Sequence, residues 1–398
     1  GGCGLPATKD VANAAFTANA IESREYVLRR LPDHAKELID PQPEDGDPES
    51  RFTQQFMACF EQCKNIFISQ VEENDKETPE EQWKQEITKH LEQRTLQYFF
   101  TNIMTKQGKR HIKEQLNQDN TRTEHAVFLS VAKQHTGDFL LACPKTAATT
   151  FLPHEFIMAL RIRLGCDLPN IPTRCTCRKQ PYLDKKGIHL LLCKKGGAPI
   201  HRHDGIQNVI KALATSAGVQ ASSCCKDVVV MNEAGGDNRR GDLMLPQCGD
   251  NGKNLLLDFT IRNPASASLL DATRGNPNTA IKRAEKEKND KYKERAAAND
   301  IEFMPMALEC YGALSKNFVK VLNMLCEKKA QMNKGNKSAI MNYWYKRISC
   351  TLHKGNSSAI ARRMMDITKE VASCRDECFD VMVVQEYGNN DTACHIIN

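Results

Sequence analysis

Four potential metal ligands lie close together in the middle of the chain. Cys175, Cys177, His189 and Cys193 follow the pattern C-x-C-x11-H-x3-C. Thiolate sulfur and imidazole nitrogen are the atoms that Zn²⁺ binds in tetrahedral structural sites, where four protein ligands leave no open position. The pattern therefore predicts a structural zinc site. Because the first pair is spaced C-x-C instead of the commoner C-x-x-C, four unrelated residues in a chain of 17 cysteines are the alternative interpretation.

Two aspartates farther along the chain are suitable ligands for a hard divalent cation. Asp242 follows a glycine-rich turn, and Asp258 lies inside the apolar segment Leu255 to Ile261. A carboxylate buried in such a strand is costly unless it contacts a cation or hydrogen-bond donors. Carboxylate and carbonyl oxygens suit Mg²⁺ and Mn²⁺. We therefore expect both aspartates, with the backbone carbonyl of Phe259, to hold Mg²⁺ or Mn²⁺ at one edge of a sheet.

The acidic residues also have simpler interpretations. Asp258 can lie at a strand edge and face water, although apolar residues on both sides leave no clear polar face. Glu233 is a further candidate ligand for the magnesium, and a solvated loop position is its alternative.

A lysine-rich segment from Lys282 to Lys293 predicts a helix with one distinct face. Ala284, Lys288, Lys291 and Tyr292 fall at i, i+4, i+7 and i+8, which places them on the same side. Lys288 there can hold a phosphate or orient an attacking water, and Lys291 and Tyr292 beside it are further candidates for binding DNA phosphates. A charged, solvated helix is the alternative.

Basic residues next to the acidic ones are candidates for contacts with phosphate or for supporting the site. Arg202 and His203 precede Asp204 at an expected helix start, where Asp204 can serve as the N-cap. His203 is also an alternative zinc ligand. Arg240 adjoins the turn before Asp242 and is a further candidate for binding DNA phosphates.

In combination, these motifs resemble the restriction-enzyme-like, PD-(D/E)xK-type endonuclease region at the C-terminus of site-specific non-LTR retrotransposon polyproteins and of related reverse-transcriptase-derived proteins. In that family a Cys-Cys-His-Cys knuckle precedes an Arg-His-Asp or Arg-His-Asn element. A Pro-Asp, a D-x-T strand and a lysine on the next helix follow. The residues above fall in that order, as do Lys291-Tyr292 and the Glu-x-x-Gly element at Glu309. One departure is Gly241, which stands at the family's proline position.

The resemblance implies that Asp242, Asp258 and Lys288 are the catalytic residues of a metal-dependent nuclease. It would nick target DNA so that the free 3′ end primes reverse transcription of the element's RNA. DNA, element RNA and the polymerase region of a parent polyprotein are the implied partners. The polymerase signature aromatic-x-Asp-Asp is absent from the sequence, so we expect no polymerase activity in this chain. A non-catalytic nucleic-acid-binding remnant and a structural scaffold remain alternatives.

Composition sets broader limits. The net charge of +6 permits a nucleic-acid partner without establishing one. Seventeen cysteines without a compact framework favour a reduced, intracellular compartment, and the resemblance points to the nucleus. No apolar run approaches the length of a membrane span, so no membrane partner is expected. Because the sequence starts at Gly1 without an initiator methionine, we interpret it as part of a longer polypeptide.

Periodicity predicts an α+β protein with an αβββαβ core and helical flanks at both ends. The resemblance implies that this core is restriction-endonuclease-like and that a zinc knuckle precedes it. We expect a helical linker over 1–150 that follows a missing polymerase region, the knuckle over 151–198, the endonuclease core over 199–312 and a helical tail over 313–398. The predicted strands are 228–230, 242–245, 255–261 and 301–308, and the predicted core helices are 204–218 and 278–298. Glycines are expected to end a helix at Gly165 and to interrupt the tail at Gly335 and Gly355.

Overall fold

The computed structural model describes residues 14–15, 17–18, 21, 51–71, 78–93, 95–118, 122–223 and 241–388. The chain divides into two compact units, Cys3–Asn120 and Thr121–Asn398. Within the described part, no helix is both long and apolar enough to cross a membrane.

The first unit is helical. Its described elements are α1 (Arg51–Ile68), α2 (Pro79–Glu92) and α3 (Leu96–Gln118), together with helical residues between 14 and 21. Helix α2 begins with a reciprocal capping box, in which the Thr78 side chain accepts from the Glu81 amide and the Glu81 carboxylate accepts from the Thr78 amide. Trp83 is buried at the centre of the unit, with the ring centroids of Phe60 and Phe99 at 5.6 and 5.7 Å from its own. Aromatic packing therefore holds these helices together.

The second unit combines helices with a mixed sheet, so the chain is an α+β protein, as predicted. Its elements in chain order are α4 (Arg122–Val131), α5 (Pro153–Leu164), α6 (Ile188–Leu192), α7 (Ala198–Ser216), β1 (Ser222–Ser223), β2 (Leu243–Leu245), β3 (Asn254–Arg262), α8 (Leu270–Gly275), α9 (Thr279–Ala298), β4 (Ile301–Glu309), α10 (Lys316–Asn333) and α11 (Lys337–Gly388). Short 3-10 turns occur at Asp138–Leu141 and Asp250–Gly252.

The sheet has the strand order β1-β2-β3-β4. The first two pairings are antiparallel, and β3 pairs with β4 in parallel after the chain crosses over through α8 and α9. Leu243 lies opposite Leu257, and Asp258 lies opposite Pro305. Proline has no amide hydrogen to donate, which suits β4 because it is the last strand in the order.

Both faces of β3 are covered, which explains why its sequence is apolar throughout. Leu255, Leu257 and Phe259 belong to a core shared with α7, α10 and α11. Leu256, on the opposite face, packs against Tyr292 of α9. A strand covered on both sides is expected to be apolar at successive positions. Asp258 lies on the α9 face and is the charged exception.

Most of the predicted elements are confirmed, within a few residues. The strands β3 and β4 and the helix α9 lie where the periodicity placed them, and α5 ends at Gly165 with a φ of 64°. Helix α7 starts earlier than predicted, at Ala198 after Gly197, so Asp204 is not its N-cap. The strand predicted at 228–230 lies outside the described residues.

The predicted interruption at Gly355 is wrong, because α11 continues through it. A Cβ atom at this position would lie 2.9 Å from Cγ of Arg202, so the glycine allows α7 and α11 to approach closely. The break at Gly335 is confirmed, since it separates α10 from α11.

We predict that Gly355→Ala destabilises the protein by about 1–3 kcal/mol, because the added methyl group overpacks a buried contact. This should occur although alanine favours helix by about 1 kcal/mol. Gly108→Ala in α3 is the control, since nothing lies within 4 Å of its added Cβ. Thermal unfolding should show the two substitutions shifting Tm in opposite directions, and a stabilised Gly355 variant would contradict the packing argument.

Candidate metal centre and carboxylate site

The four predicted zinc ligands converge in the structure. The ligand atoms of Cys175, Cys177, His189 and Cys193 all lie within 4.8 Å of one another. The Sγ atoms of Cys175 and Cys193 are 3.7 Å apart, and Sγ of Cys177 is 3.6 Å from Nε2 of His189. Zn–S bonds of about 2.3 Å in a tetrahedron place neighbouring sulfur atoms about 3.8 Å apart. The group can therefore hold a metal ion and is compatible with zinc.

A short hairpin positions the first two cysteines. Arg174 and Tyr182 form an antiparallel bridge, and the amide of Cys175 donates to the carbonyl of Pro181 at 3.0 Å. The chain therefore turns back on itself immediately after Cys177.

A capped helix positions the third ligand. The carboxylate of Asp184 accepts hydrogen bonds from the amides of Ile188 and His189 at 2.9 and 3.3 Å, which fixes the start of α6. Gly187 precedes this helix with a φ of 71°, and a Cβ there would lie 2.7 Å from Cδ1 of Leu168. Glycine is thus required by both the backbone conformation and the space.

Arg363 of α11 contacts the metal-ligand cluster through Cys175 and the neighbouring Thr176. It is 2% exposed, and its Nη2 donates to Sγ of Cys175 at 3.5 Å and to the hydroxyl of Thr176. Glu370 lies 3.6 Å from Nη1 of Arg363 and also pairs with Lys195 at 2.7 Å. A buried guanidinium beside a sulfur atom stabilises the thiolate form that binds metal.

The pKa values of Cys193 and His189 are shifted in the directions expected of side chains that bind a metal cation. Burial raises the pKa of Cys193 to about 11. Burial lowers the pKa of His189, with Arg363 acting in the same direction and Asp184 opposing it. His189 is thus held as the neutral imidazole that binds metal, and a bound cation would offset the cost of burying the thiolate of Cys193.

The second candidate site is built around Asp258. This side chain is 2% exposed, and its Oδ2 lies 2.5 Å from Nζ of Lys288 on α9. Burial raises the pKa of Asp258, the negative charge of Asp242 raises it further, and Lys288 and His203 lower it. Burial and the charge of Asp258 raise the pKa of the Tyr292 hydroxyl to about 12. The carboxylate, the ammonium and the phenol therefore lie close enough together for the charges of Asp258 and Lys288 to act on their neighbours.

Asp242 lies immediately before β2 and is held by several hydrogen bonds. Its amide donates to the carbonyl of Leu257 at 2.9 Å, and its Oδ2 accepts from the amide of Phe259 at 2.6 Å. Nε2 of His203 lies 3.1 Å from the same Oδ2, and the side-chain amide of Gln207 donates to the Asp242 carbonyl at 2.6 Å. The contact with Phe259 brings Asp242 beside the strand residue that follows Asp258.

His203 contacts two carboxylates and a carbonyl. Its Nδ1 is 3.1 Å from Oδ1 of Asp204, and its Nε2 is 3.2 Å from the carbonyl oxygen of Phe259 as well as close to Asp242. Burial lowers the pKa of His203, but Asp242 and Asp204 outweigh burial and raise it to about 9. Without another cation in the site, the imidazole is therefore charged at neutral pH.

Several predicted residues take other positions. Arg202 is 3% exposed, and its guanidinium donates to Asn356 at 2.7 Å and to the Leu191 carbonyl at 3.1 Å. The prediction that it contacts a phosphate is wrong, because this side chain joins α6, α7 and α11 in the interior. His203 lies at Asp242, so its alternative role as a zinc ligand is also wrong. Lys291 is exposed, with its Nζ 4.7 Å from the Tyr292 ring centroid.

Two predicted positions, Glu233 and Arg240, lie outside the described residues. The Glu-x-x-Gly element has a packing role in the structure. Glu309 is fully buried, accepts from Ser130 and pairs with Lys133 at 2.8 Å. This contact holds α4 at the end of β4.

Sequence reasoning missed Gln207 and Arg363. Gln207 follows His203 by four residues, so helical spacing could have indicated that both face the same site. Arg363 carried no such signal, because only folding brings α11 to the cysteines.

No protein-family model matches the chain, and no curated protein matches it. Its chemistry must therefore be inferred from the two sites themselves. Within the described residues, only the cysteine–histidine group brings the ligand atoms of three or more His, Cys, Asp or Glu side chains within 4.8 Å of one another. Asp242, Asp258 and His203 are more loosely arranged.

We predict about one zinc ion per chain in the purified protein, because the cluster has the spacing of a tetrahedral site. Cys193→Ser should lose the zinc and lower Tm, whereas Cys166→Ser, at an exposed cysteine nearby, should change neither. Metal analysis by mass spectrometry and thermal unfolding with and without a chelator are the measurements. Zinc-free protein that unfolds at an unchanged Tm would refute this prediction.

We also predict that His203 titrates near pH 9 in protein free of divalent cations at the carboxylate site, against an ordinary value of 6.5. Since the folded pKa is raised, the stabilisation is fully present below pH 6.5 and is lost as the pH rises through 9. Asp242→Asn should lower the midpoint. Proton NMR of the imidazole measures it, and a wild-type midpoint near 6.5 would exclude the described contacts.

Proposed function

We propose that the second unit is a metal-dependent DNA endonuclease that nicks target DNA for target-primed reverse transcription of a retroelement. The observation that carries this proposal is the proximity of Asp242, Asp258 and Lys288, which lie just before β2, on β3 and on α9. Lys288 is 2.5 Å from Asp258, and Asp242 is bonded to the amide of the residue after Asp258. Two aspartates and a lysine in this order are the motif of PD-(D/E)xK-type nucleases that the sequence resembles.

The element order supports a restriction-endonuclease-like core. A helix (α7), three strands (β1, β2 and β3), a helix (α9) and a parallel fourth strand (β4) follow one another, with the short α8 inserted. This order is consistent with the expected αβββαβ core, although β1 precedes the strand predicted at 228–230, which lies outside the described residues. The motif residues would then lie at the sheet end where β2 begins and beside α9, which covers one face.

The reaction is the hydrolysis of a phosphodiester. A water oxygen forms a bond to phosphorus, and the bond from phosphorus to O3′ breaks, leaving a free 3′ hydroxyl and a 5′ phosphate. When bound, Mg²⁺ or Mn²⁺ would neutralise growing negative charge and lower the pKa of water. Asp242, Asp258 and the carbonyl of Phe259 are the oxygen ligands that this chain offers for it.

Lys288 would act on the substrate side of the site. Its ammonium has three hydrogens, and the contact with Asp258 leaves others to donate to a phosphate oxygen or to the attacking water. Tyr292 packs against Leu256 and Phe303, so it holds the helix turn that carries Lys288. Buried Ala284 lets α9 lie close to the sheet.

The remaining parts fit nucleic-acid partners. Exposed Lys282, Lys286 and Lys291 on α9 can contact phosphates near the site, and such contacts bind DNA with little regard to sequence. The cysteine–histidine group would hold a structural zinc ion and extend this surface to DNA or to element RNA. We propose action in the nucleus together with the polymerase region of a parent polyprotein.

A plasmid-nicking assay with Mg²⁺ or Mn²⁺ tests the proposal. Asp242→Asn, Asp258→Asn and Lys288→Met should each reduce nicking by about 100-fold or more, because each removes a group that acts on the reacting phosphate. Asp290→Asn and Lys293→Met are matched controls, since both side chains are exposed on the same helix as Lys288. They should nick at the wild-type rate.

Circular dichroism should show that all variants remain folded. Wild-type protein that binds DNA in a salt-sensitive manner but does not nick it with any divalent cation would refute the nuclease. That result would favour the alternative, a non-catalytic nucleic-acid-binding remnant. Absence of binding at low salt would favour a structural scaffold.

A further inference from the structure

Two oxygen atoms from separate parts of the chain lie close to one imidazole nitrogen, Nε2 of His203. Nε2 of His203 on α7 lies 3.1 Å from Oδ2 of Asp242 and 3.2 Å from the carbonyl oxygen of Phe259 on β3. Asp242 and Phe259 are themselves joined through the Phe259 amide at 2.6 Å. One imidazole nitrogen therefore faces two oxygen acceptors at once.

The contact of the other imidazole nitrogen, Nδ1, limits which protonation states the ring can adopt. Nδ1 is 3.1 Å from Oδ1 of Asp204, which can only accept while it is ionised, so Nδ1 carries the hydrogen. A bare nitrogen lone pair directed at two oxygens would be repelled. A positive charge must therefore lie between Nε2 and the oxygens, and it is either a proton or a metal ion.

The arrangement of His203 is the one that metal-binding histidines adopt. Such residues almost always donate their second ring nitrogen to a carboxylate or carbonyl, which fixes the tautomer and the ring orientation. Asp204 provides this carboxylate. The ring also packs edge-on against Phe259, with centroids 6.2 Å apart at 89°.

The distances suit octahedral coordination with little movement. Neighbouring ligands of an octahedral ion with bonds of 2.0–2.1 Å lie about 2.9 Å apart. The measured separations of 3.1 and 3.2 Å exceed this by a few tenths of an ångström. Gln207, one turn after His203, holds the Asp242 carbonyl at 2.6 Å, and the His203 side chain is 26% exposed, so an ion can reach the site.

We infer that His203 is a nitrogen ligand of the divalent-cation site, with Asp242 and the Phe259 carbonyl, and that it makes the site prefer Mn²⁺ to Mg²⁺. This rests on the proposed function for the presence of that cation. Mg²⁺ is a hard ion that favours oxygen ligands, whereas transition metals gain more from imidazole. Replacing one oxygen ligand by nitrogen therefore strengthens the binding of Mn²⁺ relative to Mg²⁺.

The test uses Mn²⁺ bound to the full chain with its zinc retained. Pulsed EPR of the bound Mn²⁺ should show hyperfine coupling to ¹⁴N, and the coupling should change to that of ¹⁵N after labelling with ¹⁵N-histidine. His203→Gln should abolish the nitrogen coupling and weaken Mn²⁺ binding about 10-fold or more, with a smaller effect on Mg²⁺. His201→Gln, exposed on the same helix, is the matched control and should leave coupling and affinity unchanged.

The isotope experiment needs no substitution, so it holds even where His203→Gln fails to fold. Bound Mn²⁺ without nitrogen coupling, or failure to bind Mn²⁺, overturns the inference whatever the nicking assay shows. Nitrogen coupling in a protein that nicks nothing supports the ligand assignment while refuting the nuclease. The two proposals can thus fail separately.

Discussion

The burial of the Asp258 carboxylate constrains the rest of the second unit. An ionised carboxylate that is 2% exposed in an apolar strand costs several kcal/mol unless a cation compensates it. Lys288 provides that charge, but only if α9 packs closely against the sheet. The fully buried Ala280 and Ala284 permit this approach, and Tyr292 anchors the same helix on Leu256. If α9 packed elsewhere, the buried carboxylate of Asp258 would lack the positive charge of Lys288.

The long helix α11 connects the two candidate sites. Near its middle, Asn356 accepts from Arg202, the residue before His203, and donates to the Cys310 carbonyl at 2.7 Å. Two turns later, Arg363 donates to Cys175 of the metal cluster. Arg202 also contacts the carbonyl of Leu191 in the helix that carries His189. A metal ion bound at the cysteines would therefore stabilise the same packing that orients α7 and its histidine.

The parts of the fold that could be predicted are those with a strong local pattern. The apolar run of β3, the charged helix α9 and the helix end at Gly165 follow from periodicity and from the conformational freedom of glycine. The candidate metal ligands were recognisable because two cysteines, a histidine and a cysteine are closely spaced. The role of Gly355 was not recognisable, since a glycine that breaks a helix and one that admits a neighbouring helix look alike in sequence. Likewise, the sequence indicates a surface cation at Arg202, and only its contacts with Asn356 and Leu191 show that it is buried.

The sequence by itself determined which chemical groups are present and on which local elements they lie. It placed four soft ligands in one segment, an aspartate within an apolar strand and a lysine on the next long helix. Only the tertiary structure decided that Lys288 pairs with Asp258, that His203 faces Asp242 and Phe259, and that Arg363 lies behind Cys175. The physical reason is that these contacts join residues 30 to nearly 190 positions apart. Their geometry depends on how helices pack on the sheet, whereas spacing along the chain reports only neighbours within a few turns.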